Sequence, residues 1–291
     1  MIKIEMLRCF AVVARTGNLS DAAAQLGRTQ SAVSMTLKQL EETLGQKLFE
    51  GERKNALTPV GAQVLALAQQ QVHSFDTAIR DIAATARSPR GLLRIVTIPS
   101  ATGTLVPRAV ETLVARHPGL KIDLRDAETE VVLDTLQRGE ADIGIASGEP
   151  VLRGVESALL FRDAFGLTCA RDHPLARRGG TLRVADVEAA AFVSNNLCRT
   201  LDHPGLQDTL VRAPLHAHNT LSLIGLLRQG RHVTVLPRSV VAHLPGALAF
   251  LPLEDLPLER SVSVLVAARA SQKALAADCA TLFQEISAAQ S

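Results

Sequence analysis

Aromatic residues are scarce in this sequence, which contains neither tryptophan nor tyrosine and only 8 phenylalanines among 291 residues. Stacking of bases or sugar rings on aromatic side chains therefore has little support. Long apolar runs are also missing, since no stretch of about eighteen uncharged apolar residues occurs. The N-terminal segment MIKIEMLRCF lacks the apolar core of a secretion signal. We therefore expect a cytoplasmic protein that makes no contact with a membrane.

Cysteine pairs and catalytic motifs are absent as well. The 4 cysteines are far apart and show no CxxC spacing, which argues against a zinc module or a disulfide framework. Neither GxSxG, GxGxxG, a P-loop nor HExxH occurs, and no pair of carboxylates marks the predicted strand ends. We expect no enzymatic activity, no catalytic residues, no cofactor and no bound metal.

Charge is unevenly distributed along the chain, although the formal net charge is only +2. Residues 1–90 contain 11 Lys and Arg against 8 Asp and Glu, whereas the remainder contains 20 against 21. A polyanion is therefore expected to bind the N-terminal part. A chain of 291 residues is also long enough for two domains.

Residues 18–49, NLSDAAAQLGRTQSAVSMTLKQLEETLGQKLF, predict two helices joined by a sharp turn. An earlier helix ends at 16–18, and Ser20 is the expected N-cap of the second helix. Gly27 provides the turn, and Thr29 caps the third helix. Two helices joined by a short turn that contains Gly are the helix-turn-helix signature. The expected apolar faces comprise Ile4, Leu7, Phe10, Ala11 and Ala14 in the first helix, and Val33, Leu37, Leu40 and Leu44 in the third.

The third helix carries small, uncharged polar residues where a helix that only packs would carry Glu, Lys and Arg. In a helix-turn-helix motif this helix enters the DNA major groove, where Gln binds adenine and Ser reaches several base edges or a phosphate. The alternative is a helical hairpin from an unrelated bundle. The expected DNA contacts, including two basic residues of the following segment, are Thr29, Gln30, Ser31, Ser34, Met35, Lys38, Arg53 and Lys54.

A wing and a long helix are predicted next. Two short β segments, 48–49 and 56–57, flank a charged tip. Thr58 and Pro59 then start a helix that extends nearly to a predicted break at 88–91. No small domain could cover its apolar stripe, so a partner chain and hence a dimer are expected. The stripe comprises Val64, Ala68, Phe75, Ile79, Ile82 and Ala86.

From Leu92 onward, strands alternate with helices in a βαβαβ order that predicts a parallel sheet. The alternation resumes after residue 160, so we expect two α/β lobes joined by extended crossings near 146–148 and 264–268. Such sheets bind ligands at the carboxyl ends of their strands. Hydroxyls and amides at those ends suit a carboxylate or another small anion, although the same residues also serve as ordinary N-caps.

The order and spacing of these elements resemble a LysR-type transcriptional regulator. The resemblance rests on LSDAAAQLGRTQSAVSMTLKQLEETLGQKLF followed by LTPVG, and more loosely on RDHPLA and LLRQG…VLPRSVV in the C-terminal part. Family members commonly carry Arg in place of Met35 and of Gly51. They also have a second Gly soon after the position of Gly230, where this chain has Arg231 and His232.

The resemblance implies a mainly α winged helix-turn-helix at 1–58 and a linker helix and hinge at 59–91. It further implies a two-lobed, periplasmic-binding-protein-like α/β effector domain at 92–291, with lobe I at 92–161 and 266–291 and lobe II at 162–265. Its implied partners are double-stranded promoter or operator DNA, a small-molecule effector, a homodimer or homotetramer and RNA polymerase. The expected effector contacts are Ser100, Ala101, Thr102, Thr129, Asn195, Cys198, Asn219 and Thr220.

Three alternatives remain open. Cys198 lies about where peroxide-sensing members of the family carry their reactive cysteine, beside Arg199, but a buried thiol is favoured because no resolving cysteine follows. His216 and His218 would point to one side of a strand as two metal ligands, with His203 as a third, but an ordinary polar pair is favoured. A solute-binding transport component would explain the two lobes but not the N-terminal DNA-binding module.

Overall fold

The computed structural model describes residues 1–51, 53–87, 91–242, 244, 246–270 and 272–289. The chain divides into two compact units, Met1–Pro89 and Arg90–Ser291. Each unit has an apolar core of its own. In the described part of the chain, no helix is both long enough and apolar enough to cross a membrane.

Four helices form most of the N-terminal unit. Gly17, Gly27 and Gly45 follow the first three helices with φ angles of 72°, 61° and 66°, so each turn uses the left-handed region that glycine adopts without strain. The helices are α1 (Ile4–Thr16), α2 (Leu19–Leu26), α3 (Gln30–Leu44) and α4 (Pro59–Arg87).

The starts of α2 and α3 are fixed by side-chain caps. Thr29 caps α3, as predicted, and its hydroxyl oxygen accepts a backbone N–H of that helix at 3.3 Å. The predicted cap of α2, Ser20, is wrong. That helix begins at Leu19, and the side chain of Asn18 accepts the Asp21 N–H at 2.8 Å. Asn18 has the extended backbone that an N-cap requires, whereas Ser20 lies within the first helical turn.

The core of this unit buries one side of each of the first three helices. The predicted stripe of α3 is largely confirmed, with Val33, Leu37 and Leu40 buried and Leu44 at the edge. The predicted face of α1 is only partly right, since Phe10 alone of its five members is buried. Because α1 packs against α2, α3 and α4, its buried face is set by three neighbours. That face comprises Met6, Cys9, Phe10 and Val13.

The predicted wing is present as a minimal β hairpin. Phe49 and Leu57 form an antiparallel bridge, and the Glu50 N–H donates to the Ala56 carbonyl at 3.0 Å. Residue 52, in the tip, lies outside the described residues.

The hairpin leads directly into α4. Thr58 caps that helix, as predicted, because its hydroxyl oxygen accepts the Gly61 N–H at 2.9 Å. Gly61 is required for this close approach, since a Cβ atom there would lie 2.1 Å from the Leu48 carbonyl oxygen. Any side chain at Gly61 would therefore separate α4 from the hairpin.

The apolar stripe of α4 is divided between the core and the surface. Ala68 is 1% exposed and packs in the core of the N-terminal unit, with Val64 beside it. The expectation that no domain covers the stripe is therefore wrong for its first two members. Phe75, Ile79 and Ile82 are 42%, 49% and 66% exposed. The side chain of Ala86 and residues 88–90 of the predicted break lie outside the described residues.

The described part of the C-terminal unit contains one nine-stranded sheet of order β2-β1-β3-β9-β4-β7-β5-β6, with β8 paired to β4. The strands are β1 (Leu92–Thr97), β2 (Lys121–Asp126), β3 (Ile143–Ser147), β4 (Val155–Ala170), β5 (Ala191–Asn195), β6 (Leu215–Ala217), β7 (His232–Pro237), β8 (Leu248–Pro252) and β9 (Glu259–Ala267). The helices are α5 (Pro99–Thr102), α6 (Val106–Arg116), α7 (Thr129–Gln137), α8 (Pro174–Arg178), α9 (Val184–Glu188), α10 (Pro204–Arg212), α11 (Thr220–Leu227), α12 (Arg238–Ala242) and α13 (Lys273–Ala288), with a 3₁₀ turn at Cys198–Thr200.

Two lobes share this sheet. We call the half that contains β1–β3 the first lobe and the half that contains β5–β8 the second lobe. β1 pairs in parallel with β2 and β3, which confirms the predicted βαβαβ order. β4 and β9 run antiparallel to each other, and β4 continues into pairs with β7 and β8 of the second lobe.

The crossings between the lobes lie elsewhere than predicted. β3 ends at Ser147 in the first lobe, and the chain crosses within β4, a single strand whose two ends pair in different lobes. Val262 and Val264 are buried in the core of the first lobe, so the second crossing lies nearer Glu259 than 264–268. The predicted lobe boundary at 265–266 is therefore wrong. Alternation of strands and helices does not show where one continuous strand changes lobes.

Candidate DNA interface and effector site

The solvent face of α3 contains the residues predicted to contact DNA. Met35 is 69% exposed, on the side of the helix away from Val33 and Leu37. The Lys38 ammonium lies 3.8 Å from the Glu42 carboxylate, with both side chains exposed. The residues at the start of the helix are also exposed, namely Thr29, Gln30, Ser31 and Ser34. This end of α3 therefore presents amide and hydroxyl groups that can pair with base edges.

Glu41, which the sequence pattern did not single out, connects α3 to the wing. Its side chain is 5% exposed and accepts the Leu48 N–H at 2.9 Å and the Lys47 ammonium at 3.1 Å. Burial by itself would raise the pKa of Glu41, but these two bonds and the charges of Lys54 and Lys47 together outweigh it and lower the pKa below its ordinary value. The ionised carboxylate thus fixes the end of the predicted recognition helix against the hairpin.

The two basic residues of the wing differ in their surroundings. Arg53 is exposed. Lys54 is half-buried and has a φ angle of 57°, and its ammonium lies 5.5 Å from the centre of the Phe49 ring. The cation–π contact holds the Lys54 side chain close to the hairpin, whereas Arg53 extends into solvent.

Two of the predicted effector contacts in the first lobe have structural roles. Ala101 is fully buried in the core of that lobe. The Thr102 hydroxyl donates to the Asp126 carboxylate at 2.5 Å, a bond that ties α5 to the end of β2.

Three of the four predicted contacts in the second lobe also have protein partners. The Asn195 amide donates to Thr234 Oγ1 at 2.8 Å and lies 2.9 Å from Cys198 Sγ, and its oxygen accepts the Cys198 N–H at 3.0 Å. Cys198 is fully buried, and burial raises its pKa to about 11. The Asn219 side chain caps α11, whose first residue is Thr220. Asn195 and Cys198 therefore stabilise their own loop.

Ser100 and Thr129 belong to a polar cluster that the sequence did not reveal. Arg260, at the start of β9, donates to Ser100 Oγ at 2.6 Å and to Ser147 Oγ at 3.0 Å. Thr129 Oγ1 accepts the Ser147 N–H at 3.0 Å. Arg260 also pairs with the Asp163 carboxylate at 3.0 Å, with side chains that are 8% and 3% exposed. The structure thus gathers groups from the ends of β1, β2 and β3 around one buried cation.

Two family models together match almost the whole chain. The model described as "Bacterial regulatory helix-turn-helix protein, lysR family" matches residues 4–62, and "LysR substrate binding domain" matches residues 86–287. The chain belongs to the LysR family. It is a DNA-binding transcriptional regulator with an effector-binding domain, and its family comprises regulators rather than enzymes.

Individual relatives of this LysR regulator agree with the match. It is 29% identical over 279 residues to "Probable HTH-type transcriptional regulator LrrA" of Synechococcus elongatus, with 93% of this chain and 92% of that protein covered. It is 30% identical to a "Probable hydrogen peroxide-inducible genes activator" of Mycobacterium avium, with 81% and 78% covered. The solved structure of full-length CbnR in complex with its target DNA has the same fold, with a TM-score of 0.64, 19% identity and coverage of 98% and 100%.

Of the three histidines that the sequence marked as conceivable metal ligands, His216 pairs with two neighbours in this LysR regulator. His216 Nδ1 lies 2.9 Å from Ser194 Oγ, and Nε2 lies 3.1 Å from Asn196 Oδ1. Burial, with the charges of His218 and Arg199, lowers the pKa of His216. Among the described residues, no group of three His, Cys, Asp or Glu side chains is arranged to hold a metal. His216 and His218 are neighbouring side chains in edge-to-face contact, with ring centres 4.4 Å apart.

Two cavities of the C-terminal unit have volumes of about 660 and 500 Å³. The larger is lined by residues of the second lobe that include Arg238 and Phe250. The smaller is lined by Asp163, Ser239 and other residues beside the crossing strands. Neither is lined by a residue that the sequence assigned to the effector, but Asp163, which lines the smaller one, pairs with Arg260 of the hydroxyl cluster.

Proposed function

We propose that this LysR regulator reads its operator through the N-terminal end of α3. The proposal rests on the exposed, uncharged face that begins at Gln30, directly after the Thr29 cap. A glutamine amide can pair with two atoms of adenine, while Ser31 and Ser34 can reach base edges or a phosphate. Met35 offers an apolar contact. Cationic groups for the phosphates come from Lys38, Arg53 and Lys54.

Operator binding by alanine variants tests this proposal. Selection of DNA fragments by the purified protein would supply the operator and identify the genes beside it. Gln30→Ala should then weaken operator binding by about 1–3 kcal/mol and leave binding to unrelated DNA nearly unchanged. Gln39→Ala is the matched control, because Gln39 is exposed about two and a half turns farther along the same helix, on its opposite side. Equal operator affinities of the two variants in gel-shift titrations would contradict the groove assignment.

We further propose that the second half of α4 forms a homodimer, from which the effector domains could assemble a tetramer. Three apolar side chains support the dimer, since Phe75, Ile79 and Ile82 lie at helical spacing and are exposed. Binding of RNA polymerase at the promoter, inside the cytoplasm, completes the proposed role of a transcriptional regulator.

We also propose a small anion, most simply a carboxylate, as the effector. Ser100, Thr129 and Ser147 follow or end β1, β2 and β3. Parallel strands end at one edge of a sheet, where ligands of open α/β sheets bind. Binding there would change the relative position of the two lobes, and this change would alter the affinity for operator DNA. Reporter induction by a panel of small anions tests this point, and its loss in Ser100→Ala is the expected result.

A further inference from the structure

We propose that Arg260 is an effector-recognition residue and that the effector presents a single carboxylate to Arg260, Ser100, Ser147 and Thr129. This inference rests on the proposed effector function of the first lobe and assigns the chemical class of the ligand.

The guanidinium of Arg260 is held in place before any ligand arrives. Its Nε and Nη2 groups donate to Asp163 Oδ2 at 3.3 and 3.0 Å. Asp163 is held in turn by Ser239 of α12, whose N–H and hydroxyl donate to the carboxylate at 3.0 and 2.6 Å. Arg260 therefore has a fixed orientation, so its side chain loses little conformational entropy when a ligand binds.

The cluster has more donors than acceptors. Arg260 has five N–H groups, and its bonds to Asp163, Ser100 and Ser147 use four of them. The Ser100 and Ser147 oxygens accept from Arg260, and the Thr129 oxygen accepts the Ser147 N–H. Within the described residues, these three hydroxyl protons and the fifth N–H are not donated to any acceptor in the structure. Four donors at one edge of the sheet are thus available to a ligand that only accepts, and an ionised carboxylate is such a group.

The local charge restricts how negative the ligand can be. Asp163 balances the charge of Arg260, with which it pairs at 3.0 Å. The pair therefore carries no net charge. A single carboxylate adds one negative charge that four hydrogen bonds can hold, whereas a dianion would add a second charge with no cation to offset it.

Isothermal titration calorimetry of the purified full chain tests the ligand class directly. The probes are matched sets, namely benzoate, phthalate and benzamide, then butyrate, succinate and butyramide, together with inorganic sulfate. The monocarboxylates should bind tightest in at least one set. Preference for the dicarboxylates, the amides or sulfate, or a lack of binding by every acid in the panel, would overturn the proposal.

Variants of the pair test the residue. Arg260→Gln alone would leave Asp163 buried and unpaired, so the combined Arg260→Gln and Asp163→Asn protein is preferred because it keeps a neutral hydrogen-bonded pair. It should bind the best monocarboxylate at least about tenfold more weakly. Ser147→Ala, which removes one hydroxyl, should weaken binding by a smaller factor. Asp163→Asn alone should shift the preference toward the dicarboxylate, since the Arg260 charge is then unbalanced.

Two controls separate this inference from the proposed function. Arg162→Gln removes an exposed arginine next to Asp163, and Ser261→Ala removes a hydroxyl that donates to Glu149 outside the cluster. Both should bind the monocarboxylate like the unchanged protein. If the combined variant remains folded and binds it equally well, Arg260 is not the recognition residue. If reporter induction by another compound still depends on Ser100, the proposed effector site stands and only the ligand class fails.

Discussion

Glu41 shows how one buried side chain can set the position of the proposed recognition helix. Its carboxylate accepts the Leu48 N–H and the Lys47 ammonium, so it joins the last turns of α3 to the first segment of the wing. Loss of the charge would weaken the bond from the buried Leu48 N–H and remove the ion pair with Lys47. The sequence offered no reason to prefer Glu41 to the adjacent Glu42, which is exposed and lies beside Lys38.

Glu41→Gln should destabilise the N-terminal unit by about 1–3 kcal/mol at neutral pH. Because the pKa of Glu41 is lower in the folded protein, its contribution to stability is complete above the unfolded pKa and is lost as the pH falls through the folded pKa. The difference in the free energy of unfolding between the variant and the unchanged protein should therefore become smaller at acid pH. Urea denaturation followed by circular dichroism measures it, with Glu42→Gln as the control. A difference that stays constant with pH would contradict the assignment.

The four thiols bear on peroxide sensing, which the name of the Mycobacterium avium relative suggests for that protein. All four are buried, and burial raises the pKa of Cys169 and Cys198 to about 11 and that of Cys279 to about 12. The reactive form of cysteine is the thiolate, which these surroundings disfavour. A sensing role for Cys198 would require its loop to open.

Thiol titration with Ellman's reagent near pH 8 should accordingly show no rapidly reacting cysteine in the native protein. All four thiols should react once the chain is unfolded in guanidinium chloride, which serves as the control. A native thiol that reacted at the rate of free cysteine, and that disappeared in Cys198→Ser, would instead support redox sensing.

At the scale of a single element, α4 carries two different surfaces. Near its start, Ala68 packs in the core of the N-terminal unit, and farther along Asp76 accepts two hydrogen bonds from Arg8 of α1, at 2.7 and 2.5 Å. These contacts fix which side of α4 faces its own unit. Phe75, Ile79 and Ile82 remain exposed, which is unusual for three neighbouring apolar side chains on one helix.

Phe75→Glu or Ile79→Glu should abolish or strongly weaken the proposed dimer, because either change would bury an unpaired charge at a cost of several kcal/mol. Sedimentation velocity across a concentration series measures the expected shift toward monomer. Gln70→Glu introduces the same charge at an exposed position on another side of the helix and should leave assembly unchanged. A stable dimer of either apolar variant would locate the interface elsewhere.

At the scale of the whole molecule, the two units have separate cores and separate proposed ligands. The core of the N-terminal unit is built from α1–α4 and the wing, whereas the cores of the C-terminal unit lie on the faces of its sheet. Each ligand should therefore stabilise mainly the unit that binds it.

Differential scanning calorimetry should resolve two unfolding transitions in the purified protein. Operator DNA should raise the midpoint of one, and a bound carboxylate should raise that of the other. Glu41→Gln identifies the transition of the N-terminal unit, because its effect should be confined to that transition. A single transition that both ligands shift equally would show that the units unfold together.

The fold could be predicted further than the site. Helix starts at Thr29 and Thr58 were correct, and so was the parallel arrangement of the first strands. The cap at Ser20 was wrong because Asn18, two residues earlier, is an equally good cap by type. In the proposed effector site, Ser100 and Thr129 were predicted from their place at strand ends. Arg260 was missed because nothing nearby in the chain distinguishes it from other arginines.

The sequence by itself determined the order of the elements, the turn glycines, the capped start of α3 and the membership of the LysR family. These features depend on residues a few positions apart, whose capping and backbone preferences act within one helical turn. Only the tertiary structure decided which groups surround Arg260, since Ser100 lies 160 positions away and Asp163 lies 97. Strand pairing brings these distant positions together, and burial then requires that a charge have partners. Because the charge needs partners only once it is buried, the residues next to Arg260 in the sequence do not indicate which groups it will contact.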